Sequence, residues 1–294
     1  MNDVVLISKD LAASAMRGLM SKGVENAEKF MLSHEQADCP VVHHFGPGVY
    51  IRELRMKAGI FAIGHRQKFE HMNVLLKGRV LMLQNDGSTV EAVAPLMFIG
   101  KPGRKMGYVL EDVVWQNIYA TDVRDVSTLE SMLLDKSLGW QEAEDIKYAA
   151  RTAEHGADRA DFASVLQESG FSAEVVQQQS DNPVDQVPMP MGSWKIKTGQ
   201  SAIQGTGIFL TADAAPGEVL GHARLAGMRT PLGRYTNHSC NPNARMELLP
   251  NGDVQLVASR GISGCKGGDD GEEVTIDYRQ ALRLSGIICK GAST

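Results

Sequence analysis

Cysteine is scarce in this 294-residue chain: there are four, at positions 39, 240, 265 and 289, and no CxxC pair among them. That usage argues against a disulfide scaffold and fits a reducing compartment. Long apolar runs are missing too. None approaches the roughly 18 residues of a membrane-crossing helix. The N-terminus carries Asp3 and Asp10 and no long apolar core, so a signal peptide is not expected. There is no basic excess either. The net charge is −5, with 19 basic and 26 acidic residues up to Pro190 and 11 and 9 from Met191 on. A protein that follows nucleic-acid phosphates concentrates positive charge on one face. Neither nucleic acid nor membrane is therefore an expected partner, and the cytoplasm is the expected location. What is present suits a globular protein: 43% of residues are hydrophobic, and the length suggests about two domains.

The apolar pattern changes character along the chain. From Leu6 to Leu32 apolar residues fall at helical spacing, broken around Gly23, which predicts one or two helices. From Val41 to Asp122 short alternating runs take over: Val49, Ile51, Glu53 and Arg55, then Met72 to Leu83, then Val113 to Tyr119. Asn85-Asp86-Gly87 is a hairpin turn. Helical period returns at Asp125–Leu134, Glu142–Ala153 and Asp161–Glu168. Gly170 is the expected stop and Ser172 the expected cap of a last short helix. From Gln177 to Pro190 the sequence is polar and broken by proline, which predicts an extended, mobile linker. Leu248 to Leu256 reads as a hairpin with Asn251-Gly252 at its tip, and Gly264 to Gly271 as an exposed loop. These shifts give residues 1–140 with a β-rich core, 141–190 as helices and linker, and 191–294 as a compact unit.

Two stretches of the last unit do not read as packing. Gly233 to Asn243 is dense in small polar residues and holds Asn237-His238-Ser239-Cys240-Asn241-Pro242-Asn243. Gly271 to Tyr278 is a charged turn followed by a short strand that ends on an aromatic hydroxyl. Together they resemble the two signature motifs of the SET-domain protein-lysine methyltransferases. The resemblance implies a SET-type β fold in which one motif threads under the other as a pseudoknot. It implies methyl transfer from S-adenosyl-L-methionine to lysine side chains of a protein substrate. Tyr278 would be the catalytic tyrosine. Asn237 and His238 would bind the cofactor, partly through backbone groups, and Gly205, Thr206 and Gly207 would shape its methionine end. Arg234 and Tyr235 would also touch it. Ala215 to Leu220 resembles a further SET turn and strand. The family's substrate-gripping insert before Arg234 is almost absent, and Gly221-His222-Ala223-Arg224 stands where a Glu-Tyr-x-Gly strand is usual. Its zinc-binding cysteines are missing, and Cys289 alone cannot make a four-cysteine site. Cys240 is expected to be a buried small hydrophobe.

The earlier β region resembles the cupin family, which implies a β-barrel. Gly59, His65, Gln67, His71 and Gly78 fall on the positions of the first cupin motif. A cupin metal, if there were one, would use His65, Gln67 and His71. Met106 stands where a further histidine belongs, and a hard divalent ion does not choose a thioether, so no metal is expected. His43 and His44 are expected to be structural. The run Val41 to Tyr50 adds a likeness to small cupin-type proteins of tailed bacteriophages, which would place the chain in a host cytoplasm or a virion. The fold class expected is mainly β with helices, an N-terminal cupin-like barrel and a C-terminal SET fold. The cupin-like part would target the enzyme or pair it as a homodimer. Two other functions stand beside this one: a binding or virion-associated protein with an inactive SET domain, and a metal-dependent cupin acting on a small molecule.

Overall fold

The computed structural model describes residues 6–287; Cys289 lies outside them. Two helices, α1 (Lys9–Met20) and α2 (Val24–Leu32), come first, separated at Gly23 in the left-handed region at φ +93°. Ser8 caps α1 by accepting from Leu11 N. Eight strands follow: β1 (Val41–Gly46), β2 (Val49–Met56), β3 (Phe61–Ile63), β4 (Arg66–Gln67), β5 (His71–Leu83), β6 (Thr89–Val93), β7 (Leu96–Gly100) and β8 (Met106–Ala120). Next come α3 (Val126–Leu133), β9 (Leu134–Asp135), α4 (Leu138–Glu154), α5 (Gly156–Ser169) and α6 (Ala173–Asp181). The rest comprises β10 (Gly192–Trp194), β11 (Ile196–Gln200), β12 (Thr206–Leu210), β13 (Val219–Leu225), β14 (Met228–Arg229), α7 (Pro231–Tyr235), β15 (Asn237–His238), β16 (Ala244–Leu248), β17 (Val254–Ala258), β18 (Glu273–Ile276) and α8 (Tyr278–Leu284).

The first sheet runs β10-β1-β2-β8-β5-β6, with β3 added to β8 and β7 to β5. It is bent sharply. Residues 71–75 of β5 pair with β7, and residues 79–83 pair with β6. The switch falls at Gly78, at φ +85°, where a side chain would run into the Asp112 carbonyl. The cupin-motif glycine is thus a hinge in one long strand. The expected barrel is not what forms: the sheet curls but stays open. The free edge of β1, which a barrel would use for closure, is taken by β10, with His43 opposite Trp194 and Phe45 opposite Gly192.

The second half has two four-stranded sheets, β11-β12-β18-β15 and β14-β13-β17-β16. One apolar cluster crosses the whole molecule. It joins Phe45, Tyr50 and Tyr119 of the first sheet to Leu129 of α3 and to Ile208, Leu210, Leu256 and Ile276. Helix α1 lies on the outside of the first sheet, packing Ala12 and Met16 against Leu81 and Tyr108. Gly170 stops α5 in the left-handed region and Ser172 caps α6, as the sequence suggests. Helix α6 runs on to Asp181, further into the polar stretch than expected. The 264–271 loop is exposed only at Lys266 and Gly267. Gly264, Gly268 and Gly271 are buried, and Asp270 is tied to Lys197 (2.7 Å) and Arg151 (3.3 Å). Glycine is required there because the loop presses on other backbone; a side chain at Gly271 would overlap the Leu210 carbonyl. Among the described residues no helix is long and apolar enough to cross a membrane.

His43 on β1 is 1% exposed; its Nδ1 meets the Tyr50 hydroxyl at 2.8 Å and its Nε2 has no partner among the described residues. Burial, helped by the Arg52 charge, pulls its pKa down to about 3. The unfolded chain takes up this proton near pH 6.5 and the folded chain does not. Stability is therefore fully present above pH 6.5 and falls from there toward pH 3, by on the order of 1.4 kcal/mol per pH unit for this one group. Urea unfolding at pH 7, 6 and 5 should show that slope, and His43→Gln should flatten it; an equal slope in the variant would assign the loss to other groups.

Candidate active site

The two polar motifs meet. β15 lies parallel to β18, with Asn237 opposite Thr275 and His238 opposite Ile276. β18 is an inner strand of its sheet and is buried along its whole length, without alternation. Its other neighbour is β12, through Ile208 opposite Val274. The chain reaches β15 from α7, which starts at Pro231 under a Thr230 cap. Gly233 passes so close to β13 that a side chain there would overlap the Ala223 carbonyl. After β15, Asn243 returns to the same strand. Its Nδ2 donates to the Glu273 carbonyl (2.7 Å) and its Oδ1 accepts from Thr275 N (2.8 Å).

The side chain of Asn237 faces three acceptors: the carbonyls of Gln204 (3.0 Å) and Thr206 (3.1 Å), and Glu273 Oε1 (2.9 Å). Ser201 Oγ donates to the same carboxylate oxygen (2.8 Å). These bonds lock the 204–207 turn onto the motif. Gly205 turns at φ +54° and its Cα faces open space; Gly207 has no side chain because one would run into Glu273 Oε1. Burial raises the pKa of Glu273, outweighing the bonds from Asn237 and Ser201. Sequence reading passed over Glu273, whose place in a charged turn looks like a solvated face.

Tyr278 is the first residue of α8, just after the Asp277 cap, rather than the end of a strand. Its backbone N–H donates to His238 Nδ1 (3.1 Å). That fixes the proton of His238 on Nε2, which points at Asp161 Oδ2 (2.9 Å). The phenol donates to the Thr236 carbonyl (3.1 Å). Burial, then the nearby Glu273 carboxylate, push its pKa up to about 12, so it stays protonated. Arg234 stacks over Tyr235, with 5.0 Å from its guanidinium to the ring, and its Nε is buried without a partner among the described residues.

Helix α5 covers this junction, and sequence reading gave it no part in the site. Asp158 Oδ1 accepts from Ser239 Oγ (2.7 Å) and Cys240 N (3.0 Å). Asp161 and Glu168 both hold the guanidinium of Arg279. The Phe162 ring meets Tyr278 edge-on, centroids 5.8 Å apart. A signal was there to find: 158, 161, 162 and 165 share one helical face. Cys240 is exposed, contrary to expectation, because the motif leaves the core at Ser239. The hydrogen bond to Asp158 is the main cause that pushes its thiol pKa up, so it is no activated nucleophile.

The cupin-motif residues lie elsewhere, on the wall of the cavity inside the first sheet. Gln67 Oε1 is already taken by the Tyr119 hydroxyl (2.8 Å), His71 Nδ1 donates to the Phe69 carbonyl (3.1 Å), and His65 stands edge-on to Trp140. Met106 packs with Ala13 and Met16. Among the described residues no three His, Cys, Asp or Glu side chains converge as a metal site would require.

A family described as SET domain matches residues 24–279. No curated protein matches the chain. Among solved structures, the Clostridium difficile EutQ protein is similar at 11% identity, with 29% of this chain and 68% of that chain covered and a TM-score of 0.25. A cupin domain from Bordetella pertussis is similar at 17% identity, covering 30% and 98%, TM-score 0.25. A cupin-2 domain protein from Shewanella frigidimarina is similar at 13% identity, covering 35% and 99%, TM-score 0.24.

Asp158→Ala removes the acceptor of Ser239 Oγ and Cys240 N, and the partner of His155 Nδ1 (2.8 Å) as well. The variant should lose roughly 1–3 kcal/mol, and hydrogen exchange should speed up across α5 while β5 and β8 keep their protection. Unchanged exchange in α5 would mean that Asp158 does not anchor the helix.

Proposed function

This chain belongs to the SET-domain family, and from that premise we propose that it transfers methyl groups from S-adenosyl-L-methionine to lysine side chains of a protein. The observation that carries this reading is the junction itself. Asn237 with His238, the Gly205–Gly207 turn and the Tyr278 phenol, three separate pieces of sequence, are tied together through Glu273 and Thr236. Packing alone does not require polar groups of this kind at the meeting point of three segments.

The residues fit a nucleoside-bearing cofactor at the 204–207 turn. Gly205 leaves open space where a side chain would stand, and the orphaned Arg234 Nε is a free donor on the adjacent helix. When bound, S-adenosyl-L-methionine supplies an electrophilic methyl group on a sulfonium. Asn237 spends its amide on holding the turn, so its share in binding falls to backbone atoms. Tyr278, protonated up to a pKa of about 12, cannot take a proton from the incoming lysine near neutral pH. Its hydroxyl therefore orients the amine, which must arrive neutral. A free lysine has a pKa of about 10.4, and an enclosed apolar approach lowers it. Phe162 and the Tyr278 ring supply such walls. Alignment accounts for the rest of the acceleration.

A second reading has an observation in its favour. The Phe162 ring rests on Tyr278, and the phenol already has the Thr236 carbonyl as partner. A SET domain closed in this way would bind without catalysis. The cupin-like part would then carry the function; in the enzymatic reading it targets or pairs the protein. Val90, Val93, Leu96, Met97 and Ile99 on β6 and β7 are exposed apolar residues, and a second copy of this chain is the occupant proposed for the face that carries Met97 and Ile99.

Transfer of tritium from labelled cofactor into lysate protein tests the activity. The native chain should label lysines, and Tyr278→Phe should cut the rate on the order of 10²-fold. No label above that variant would leave the binding reading standing. The dimer is tested separately by sedimentation: Met97→Glu with Ile99→Glu should turn a dimer into a monomer, and a native monomer would refute it.

A further inference from the structure

We propose that the cavity inside the first sheet binds a small organic acid, its carboxylate held by Lys105 and Asn73 and its carbon body lying along the apolar wall. The cavity measures about 310 Å³, the size of a small-molecule site. Two of the polar groups on its wall are donors without acceptors, Asn73 Nδ2 and Lys105 Nζ. Asn73 Oδ1 accepts from Trp115 Nε1 (3.1 Å) and Asn117 Nδ2 (2.8 Å). Indole nitrogen only donates, so the amide cannot be turned round. Asn73 Nδ2 is left pointing away with no partner, and buried Lys105 Nζ has none either among the described residues.

These two donors converge. A methyl group built on Gly100 would run into Asn73 Nδ2 and lie 2.8 Å from Lys105 Nζ and 3.1 Å from His71 Cε1. The nearest compensation for the ammonium is the Phe98 face, 5.1 Å to its centroid. Arg52, also on the cavity wall, has its Nε buried and unpaired. The acid on the wall, Glu28, is engaged by Arg104 and Ser137. Arg52 has the Glu130 carboxylate near it, so it is the Lys105 ammonium that faces the enclosed space with no counter-charge of its own. An uncompensated buried charge is costly, and burial alone already holds the Lys105 pKa below its usual value.

The same set repels a metal cation and suits an anion. Two donors side by side match the two oxygens of a carboxylate. The remainder of the wall, including Leu54, Met56, Val80 and Met82, calls for a hydrocarbon body rather than a bare inorganic ion. The polar cleft between α3, α4 and β11 is different: there Lys197 already has Asp270. The proposal does not depend on methyl transfer at the other site.

The test is isothermal titration of the full chain with butyrate, hexanoate and phenylacetate, beside 2-phenylethanol, 2-phenylethylamine and inorganic phosphate. At least one acid should bind with a dissociation constant of about 1 mM or tighter, and the alcohol, the amine and phosphate should not. Lys105→Met should weaken that binding about tenfold or more and melt no lower than the native chain, since it removes an unpaired charge. Asn73→Asp keeps the acceptor for Trp115 and Asn117 and sets a carboxylate beside Lys105. It should abolish acid binding and raise the melting temperature. The proposal is overturned if none of the three acids binds, if the alcohol or phosphate binds as tightly, or if both variants bind like the native chain.

Discussion

The amide of Asn237 is the joint on which the second half is built. One Nδ2 meets two carbonyls of the glycine turn and the carboxylate of Glu273. A hydrogen bond of this kind contributes only about 1 kcal/mol net, but a buried acceptor left without its donor costs more. Here one side chain serves three acceptors, so its loss would expose all of them to that penalty together. The constraint spreads outward. Glu273 can sit there only because residue 207 has no side chain, and β18 can stay central only because Asn243 satisfies it from the far side.

The two halves of the chain share what holds them. Ordinary linked domains have separate cores. This chain runs one apolar cluster through both, places β10 on the edge of the first sheet, and presses Gly268 against Leu32 and Trp140. The family match, which starts within α2, likewise reaches across both halves. The open edge of β1 explains the missing barrel and the shared core at once. An edge strand is a site for pairing, and pairing it within the chain fastens the second half to the first.

Much of this was legible because it depends on local chemistry. The break at Gly23, the stop at Gly170, the cap at Ser172 and the Asn251-Gly252 tip all follow from what those residues permit in their own backbone. The pairing of the two motifs was implied only by the family resemblance that their residues carry, not by their local chemistry. What escaped was set by distant partners. Nothing near Gly264–Gly271 announces that Leu210, Leu32 and Gln36 will close over it. Cys240 looks like a buried residue by type, yet the chain turns outward one residue too soon for that. The face of α5 could be read as a helical period, but its acidic composition is that of a solvated surface, and the partners it meets, Arg279, Ser239 and His238, are set by the fold.

That acidic face also sets how firmly the junction is covered. Of α5, only Asp158 and Val165 are buried, whereas β18 beneath it is buried throughout. Apolar burial scales with area removed from water, so the strands carry it and the helix has little. Its remaining attachments are ion pairs and hydrogen bonds at a partly wet rim: Arg279 with Asp161 and Glu168, each side chain between a fifth and a third exposed. Pairs of that exposure contribute little net stability, because water replaces the lost partner. The wall over Tyr278 is therefore attached more weakly than the strands it covers, and local opening follows the weakest attachment. A junction whose base is fixed by buried hydrogen bonds, and whose cover is held by exchangeable ones, opens first at the cover and leaves the base intact.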